Sequence, residues 1–105
     1  MGDPAAVFDA AYLEGYTGGD RGVIGEVLAL FRQQAEGWRE QLAEPTEGGW
    51  RDLAHMIKGS AKGIGANALG DIAAAAEFAD PTHAAAVAAA LDVTLAAIEA
   101  YEASA

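Results

Sequence analysis

His55, Lys58 and Gly59 stand at a spacing that suits chemistry on one side of a helix. With about 100° of rotation per residue, Lys58 and Gly59 flank His55 one turn later, and Lys62 falls nearly in line with it two turns later. Trp50, Leu53, Ile57, Ala61 and Ile64 gather on the opposite face. Such a helix has a buried side, and His55 is not on it. An unperturbed imidazole titrates near about pH 6.5, so close to neutrality a large fraction has a free ring nitrogen. Histidine is an accepted covalent nucleophile, and phosphorus is a plausible target for it. A phosphoryl group placed there carries a charge of roughly −2, which Lys58 is positioned to stabilise, with Lys62 adding a longer-range contribution. Ser60 points further round the helix.

Gly59 separates this chemistry from a bland surface. Glycine inside a helix costs roughly 0.8–1.0 kcal/mol relative to alanine. A side chain at position 59 is expected to crowd the imidazole from its C-terminal side. A bare position opens access to the ring and lets another protein approach the backbone. A lone exposed histidine or lysine on a helix is ordinarily just solvated. The three together, opposite the core stripe, ask for more.

The elements that must carry these residues are helical. Apolar residues recur at three- and four-residue intervals, and no segment alternates as a strand does. Residues 1–3 are expected to be disordered. Pro4 is expected in the first turn of a short helix reaching about Tyr16, with Val7, Phe8, Ala11 and Tyr12 as its stripe. Thr17-Gly18-Gly19-Asp20 breaks the chain, and Asp20 caps a long helix to about Ala43. The turn Pro45-Thr46-Glu47-Gly48-Gly49 leads into the His55 helix, which Gly63-Ile64-Gly65 ends. Asn67 is expected to cap a fourth helix through Phe78 and Ala79, with Leu69, Ile72 and Ala76 inward. Asp80-Pro81-Thr82 precedes a last helix to about Glu102, with Val87, Leu91, Leu95, Ile98 and Tyr101 on one face. The expected fold is all-α: a single domain, residues 1–105, built as an up-down-up-down four-helix bundle with an additional short N-terminal helix.

The chain has 105 residues, is 52% hydrophobic and contains no cysteine, which excludes disulfides and thiolate metal sites. No basic, apolar leader is visible, and the alanine-rich segments are interrupted by Asp, Glu or His, so no membrane span is expected. The formal net charge of −10 disfavours nucleic acid and anionic lipid and favours a soluble, cytoplasmic monomer. Against that background, Arg51, Lys58 and Lys62 lie within about 60° of His55 around one helix. This basic stripe suits a locally acidic partner, with Arg51 and Lys62 as contact residues. His83 lacks any such company and reads as a surface residue. Trp38 and Trp50 read as core or core-edge aromatics. The glycines of residues 59–65 follow no strand, so neither a phosphate-binding loop nor a dinucleotide fingerprint is present. Nor does any pair of Glu-x-x-His elements support a di-metal site.

The run His55-x-x-Lys58-Gly59-Ser60-Ala61-x-x-Ile64-Gly65-Ala66 closely resembles the signature of histidine-containing phosphotransfer (HPt) domains. Further matches are Leu13, Gly18-Gly19-Asp20, Trp50, Leu53, Leu69, Ile72 and Glu77, so the resemblance spans roughly residues 8–102. It implies a domain that relays phosphoryl groups between aspartates of receiver domains, on a hybrid sensor kinase and a response regulator. His55 is then the phospho-acceptor and donor, Lys58 the phosphate-stabilising cation, and Gly59 the clearance for the receiver. The domain would be a phosphoryl carrier rather than a turnover enzyme. It would need no cofactor of its own, with Mg²⁺ bound in the partner receiver. Two alternatives differ in class: a binding-only module that docks on and inhibits a receiver or kinase, and a domain belonging to a larger kinase. An intact nucleophile speaks against the first.

Overall fold

Four side chains cap helices and fix where each begins. In the computed structural model, which describes residues 4–104, a four-residue helix α1 (Pro4–Val7) comes first. Asp9 then accepts from the Tyr12 N–H and starts α2 (Ala10–Thr17). Asp20 accepts from the Gly22 and Val23 N–H groups and starts α3 (Arg21–Ala43). Thr46 accepts from the Gly49 N–H and starts α4 (Glu47–Ile64). Asp80 accepts from the Thr82 N–H and opens a 3₁₀ turn, Pro81–His83, that runs into α6 (Ala84–Ser104). Each cap satisfies a backbone donor that has no partner inside its helix.

The turn between α4 and α5 (Asn67–Glu77) sets the geometry that matters for His55. Gly65 is left-handed at φ 85°, and the Ala66 N–H reaches back to the Ala61 carbonyl at 2.8 Å. This closes α4 within two residues. Ala66 therefore occupies the cap position and Asn67 is already helical, so the expected Asn67 cap is not formed. A β-carbon on Gly65 would stand 2.8 Å from the Asp9 carbonyl oxygen, and the Asp9 N–H donates to the Gly65 carbonyl at 2.9 Å. The break between α1 and α2 is thus seated on the α4–α5 turn.

α3 packs on α4 and α6, and α5 packs on the same two helices, so the four long helices enclose one all-helical core. Leu28, Ile57, Leu69, Leu91 and Ile98 are fully buried in it, with Phe31 edge-on to Trp38. α1 lies against α5 and α6, and α2 against α3 and α4. Tyr101 ties this end together: its hydroxyl donates to Glu14 at 2.9 Å and accepts from Arg21, while Phe8 packs edge-on against its ring.

Three further expectations are corrected. The N-terminal helix is two pieces, because Asp9 caps a new one. Its inward residues are Phe8 and Leu13, whereas Ala11 and Tyr12 face solvent. Ile72, expected to face inward, is also exposed. Pro81–Ser104 is long and apolar enough to cross a membrane by length and composition alone, which does not overturn the expectation of no membrane span. Alanine supplies much of its hydropathy, and the helix serves the bundle core through Ala84, Val87, Leu91, Thr94 and Ile98. The expected disorder of residues 1–3 lies outside the described residues.

Leu91→Ala should lower unfolding free energy by about 2–5 kcal/mol in a urea melt. The exposed neighbour Val93→Ala should change it by less than about 0.5 kcal/mol.

Candidate functional site

α4 turns Trp50, Leu53, Ala54, Ile57, Ala61 and Ile64 into the core. That leaves His55 on the outer face with 68% of its side chain exposed. The tight turn at Gly65 makes α5 run back along α4, so later residues of α5 meet earlier residues of α4. Asp71 reaches Lys62, Glu77 reaches Lys58 and His55, and Phe78 reaches Arg51. The Trp50 indole N–H donates to the Ala76 carbonyl at 2.8 Å and pins the same register.

Glu77 is the central group. It is the one buried charged residue among those described, only 5% exposed. One carboxylate oxygen, Oε1, hydrogen-bonds His55 Nδ1, and the other, Oε2, accepts from Lys58 Nζ at 3.1 Å. Burial alone would raise its pKa. The hydrogen bonds from Lys58 and His55, with their charges, outweigh that and hold the carboxyl below its ordinary value. An ionised carboxylate only accepts, so His55 Nδ1 must be the donor. In the neutral form of the ring the proton is then on Nδ1, which leaves the lone pair on Nε2 of an exposed side chain.

The cations flanking His55 are distributed differently from a free basic stripe. Lys58 is shared with Glu77. Lys62 is ion-paired with Asp71, its stem laid across Gly70. Arg51 lies over the Phe78 ring, 4.8 Å from its centroid. α5 thus supplies an acid or an aromatic to each. A β-carbon on Gly59 would meet nothing within 4 Å, so the expected crowding of the imidazole does not arise at the first side-chain atom. The clearance there concerns whatever approaches from outside. His83 is exposed in the 3₁₀ turn. Trp38 and Trp50 are both buried.

Reasoning from the sequence assigned no role to Glu77. A glutamate closing an alanine-rich helix resembles a solvated helix end. The usable signal was the turn at Gly65-Ala66, which brings the end of an eleven-residue helix back to the middle of α4.

Two measurements test this arrangement. Long-range ¹H–¹⁵N NMR should find His55 of the neutral protein protonated at Nδ1, and Glu77→Ala should yield a mixture of tautomers. Because the folded pKa of Glu77 is depressed, its contribution to stability is complete above the ordinary carboxylate value and is lost as pH falls through the folded one. The stability advantage of the wild type over Glu77→Gln should therefore shrink as pH drops below about 4.3.

No protein-family model matches the chain, and no curated protein matches it. Among solved structures, the histidine phosphotransferase ShpA from Caulobacter crescentus is 43% identical in sequence, with a TM-score of 0.77. The similarity covers 93% of this chain and 92% of that one.

Proposed function

The chain belongs to the histidine-containing phosphotransfer family, and on that premise we propose that it relays a phosphoryl group between receiver-domain aspartates through phospho-His55. The donor is the receiver of a hybrid sensor kinase and the acceptor that of a response regulator, in an up-down-up-down bundle acting in the cytoplasm as a monomer. The observation that carries the proposal is the Glu77 bridge, which leaves His55 Nε2 as an exposed nucleophile with its other nitrogen committed.

In the forward step the Nε2 lone pair attacks the phosphorus of an aspartyl phosphate. The phosphorus–oxygen bond breaks, and its electron pair returns to the aspartate carboxylate. No proton has to leave, because the Nδ1 proton stays on the ring. The positive charge that develops on the phosphorylated imidazole lies against the Glu77 carboxylate. Lys58, held at the same carboxylate, is within one turn of the added phosphoryl group and offsets its charge. Gly59 keeps the approach open. The receiver supplies its own aspartate and a bound Mg²⁺, so this chain contributes positioning and electrostatics rather than a complete active site. Return transfer to a second receiver is the same step reversed.

Incubation with a radiolabelled phospho-receiver should give an acid-labile, base-stable label on the wild type and none on His55→Ala. Full labelling of His55→Ala would overturn the assignment. Lys58→Ala should retain the label but acquire it more slowly. Gly59→Ala should be more stable by about 0.8–1 kcal/mol, because its methyl meets nothing in the fold, and yet transfer more slowly to and from a receiver.

A further inference from the structure

The residue after Glu77 is a phenylalanine that the fold does not use. Phe78 stands at the C-terminal cap of α5 with 73% of its surface exposed. Its backbone N–H bonds the Ala76 carbonyl, a contact that any residue but proline would make. Leaving so large a ring in water forgoes burial free energy that a position in the core would provide. Among the described residues its one aromatic or cationic neighbour is Arg51, whose guanidinium lies over the ring. Arg51 precedes His55 by one turn of α4, and Glu77 grips the imidazole, so the stacked pair borders the nucleophile directly. Met56, also largely exposed, lies about 100° round α4 on the side of His55 away from α5. Phenylalanine, methionine and arginine are residue types enriched in protein–protein interfaces over the rest of the surface.

Charge distinguishes Arg51 further. Among the described residues, Arg32, Arg39, Lys58 and Lys62 each hold a carboxylate; Arg21 holds none but donates to the Tyr101 hydroxyl, and Arg51 has neither kind of partner. Glu47 and Asp80 line the same groove beside Phe78 without forming an ion pair with it. In a chain of net charge −10, this leaves a cation without a carboxylate partner, fixed on an exposed aromatic at the rim of the phospho-accepting residue.

We propose that Phe78, with Arg51 stacked on it, is the specificity-determining contact for the receiver partner. The ring covers an apolar side chain of the receiver, and the guanidinium meets a carboxylate beside the receiver's phospho-aspartate pocket. This rests on the phosphorelay function proposed above. It assigns recognition to the α5 edge of His55, separate from the groups that perform the transfer. Stacking rigidifies Arg51 before contact, which lowers the ordering cost of binding.

The test separates docking from chemistry by using two phosphoryl donors. Phosphoramidate is a small donor that transfers its phosphoryl group to Nε2 and releases ammonia, so it needs no docking surface. A panel of purified phospho-receivers from the same genome supplies the second donor. For the receiver that labels the wild type fastest, Phe78→Ala should raise KM at least about tenfold with little change in kcat. Arg51→Ala should raise KM less and weaken its dependence on salt. Phe78→Tyr should restore the wild-type KM. Phosphoramidate labelling should stay within about twofold of wild type in all three variants, and circular dichroism should show an intact bundle, as expected for exposed positions. Wild-type KM values in both alanine variants would overturn the proposal. So would an equal loss with phosphoramidate, which would assign Phe78 to the chemistry instead. A wild type labelled by phosphoramidate but by no receiver would overturn both the docking surface and the relay function.

Discussion

A single buried carboxylate organises the functional face of this protein. Glu77 sits between α4 and α5 with one oxygen on His55 Nδ1 and the other on Lys58 Nζ. A charge removed from water is tolerated only when it is paired and hydrogen-bonded, and here both requirements are met by His55 and Lys58, the two groups proposed to act in transfer. The same contact does three things. It fixes the imidazole tautomer, holds the lysine within a turn of the nucleophile, and places a negative charge where the ring becomes positive on phosphorylation. None of this survives a slip of α5 along α4. The turn at Gly65, closed by Ala66 and braced by the Asp9 backbone, therefore belongs to the site as much as His55 does.

The rest of the bundle is scaffolding in a strict sense. α3 and α6 bury the inner face of the α4–α5 pair, and the Trp50–Ala76 hydrogen bond locks its register. With His55 presented on a rigid element, the proposed relay would leave the electrophile and its metal to the partner, which is the division of labour expected when catalysis is mostly positioning. The helix accepts a local propensity penalty at Gly59, where a β-carbon would meet nothing in the fold, and the proposed gain is on docking. On an acidic protein, cations are concentrated along one edge of α4 and then held by α5, so their positions are set before a partner arrives.

Much of this was legible in the sequence because helical periodicity fixes angles within a helix. It separated Ile57 and Ala61 from His55 and put Lys58 and Gly59 beside the histidine. Capping chemistry at Asp20 and at Asp80-Pro81-Thr82, with the turn at Pro45-Thr46-Glu47-Gly48-Gly49, marked the boundaries. What periodicity does not fix is which residues of two different helices face each other, and for that reason Glu77, although it matched the family pattern, had no role assigned to it. The same limit hid the pairing of Lys62 with Asp71 and made the cations look free. At the N-terminus, Val7, Phe8, Ala11 and Tyr12 formed a convincing stripe, but the cap at Asp9 restarts the helix and rotates Leu13 inward instead. In α6, alanine inflated the hydropathy of a helix that serves the core through only a few larger side chains.

The most direct measurement is the site of phosphorylation on the ring. With ¹⁵N-histidine protein phosphorylated by a phospho-receiver, the ³¹P–¹⁵N coupling identifies the bonded nitrogen. The Glu77 bridge predicts a phosphoryl group on Nε2 of His55, with Nδ1 still protonated and hydrogen-bonded. Phosphorus on Nδ1, or on any residue other than His55, would contradict the account.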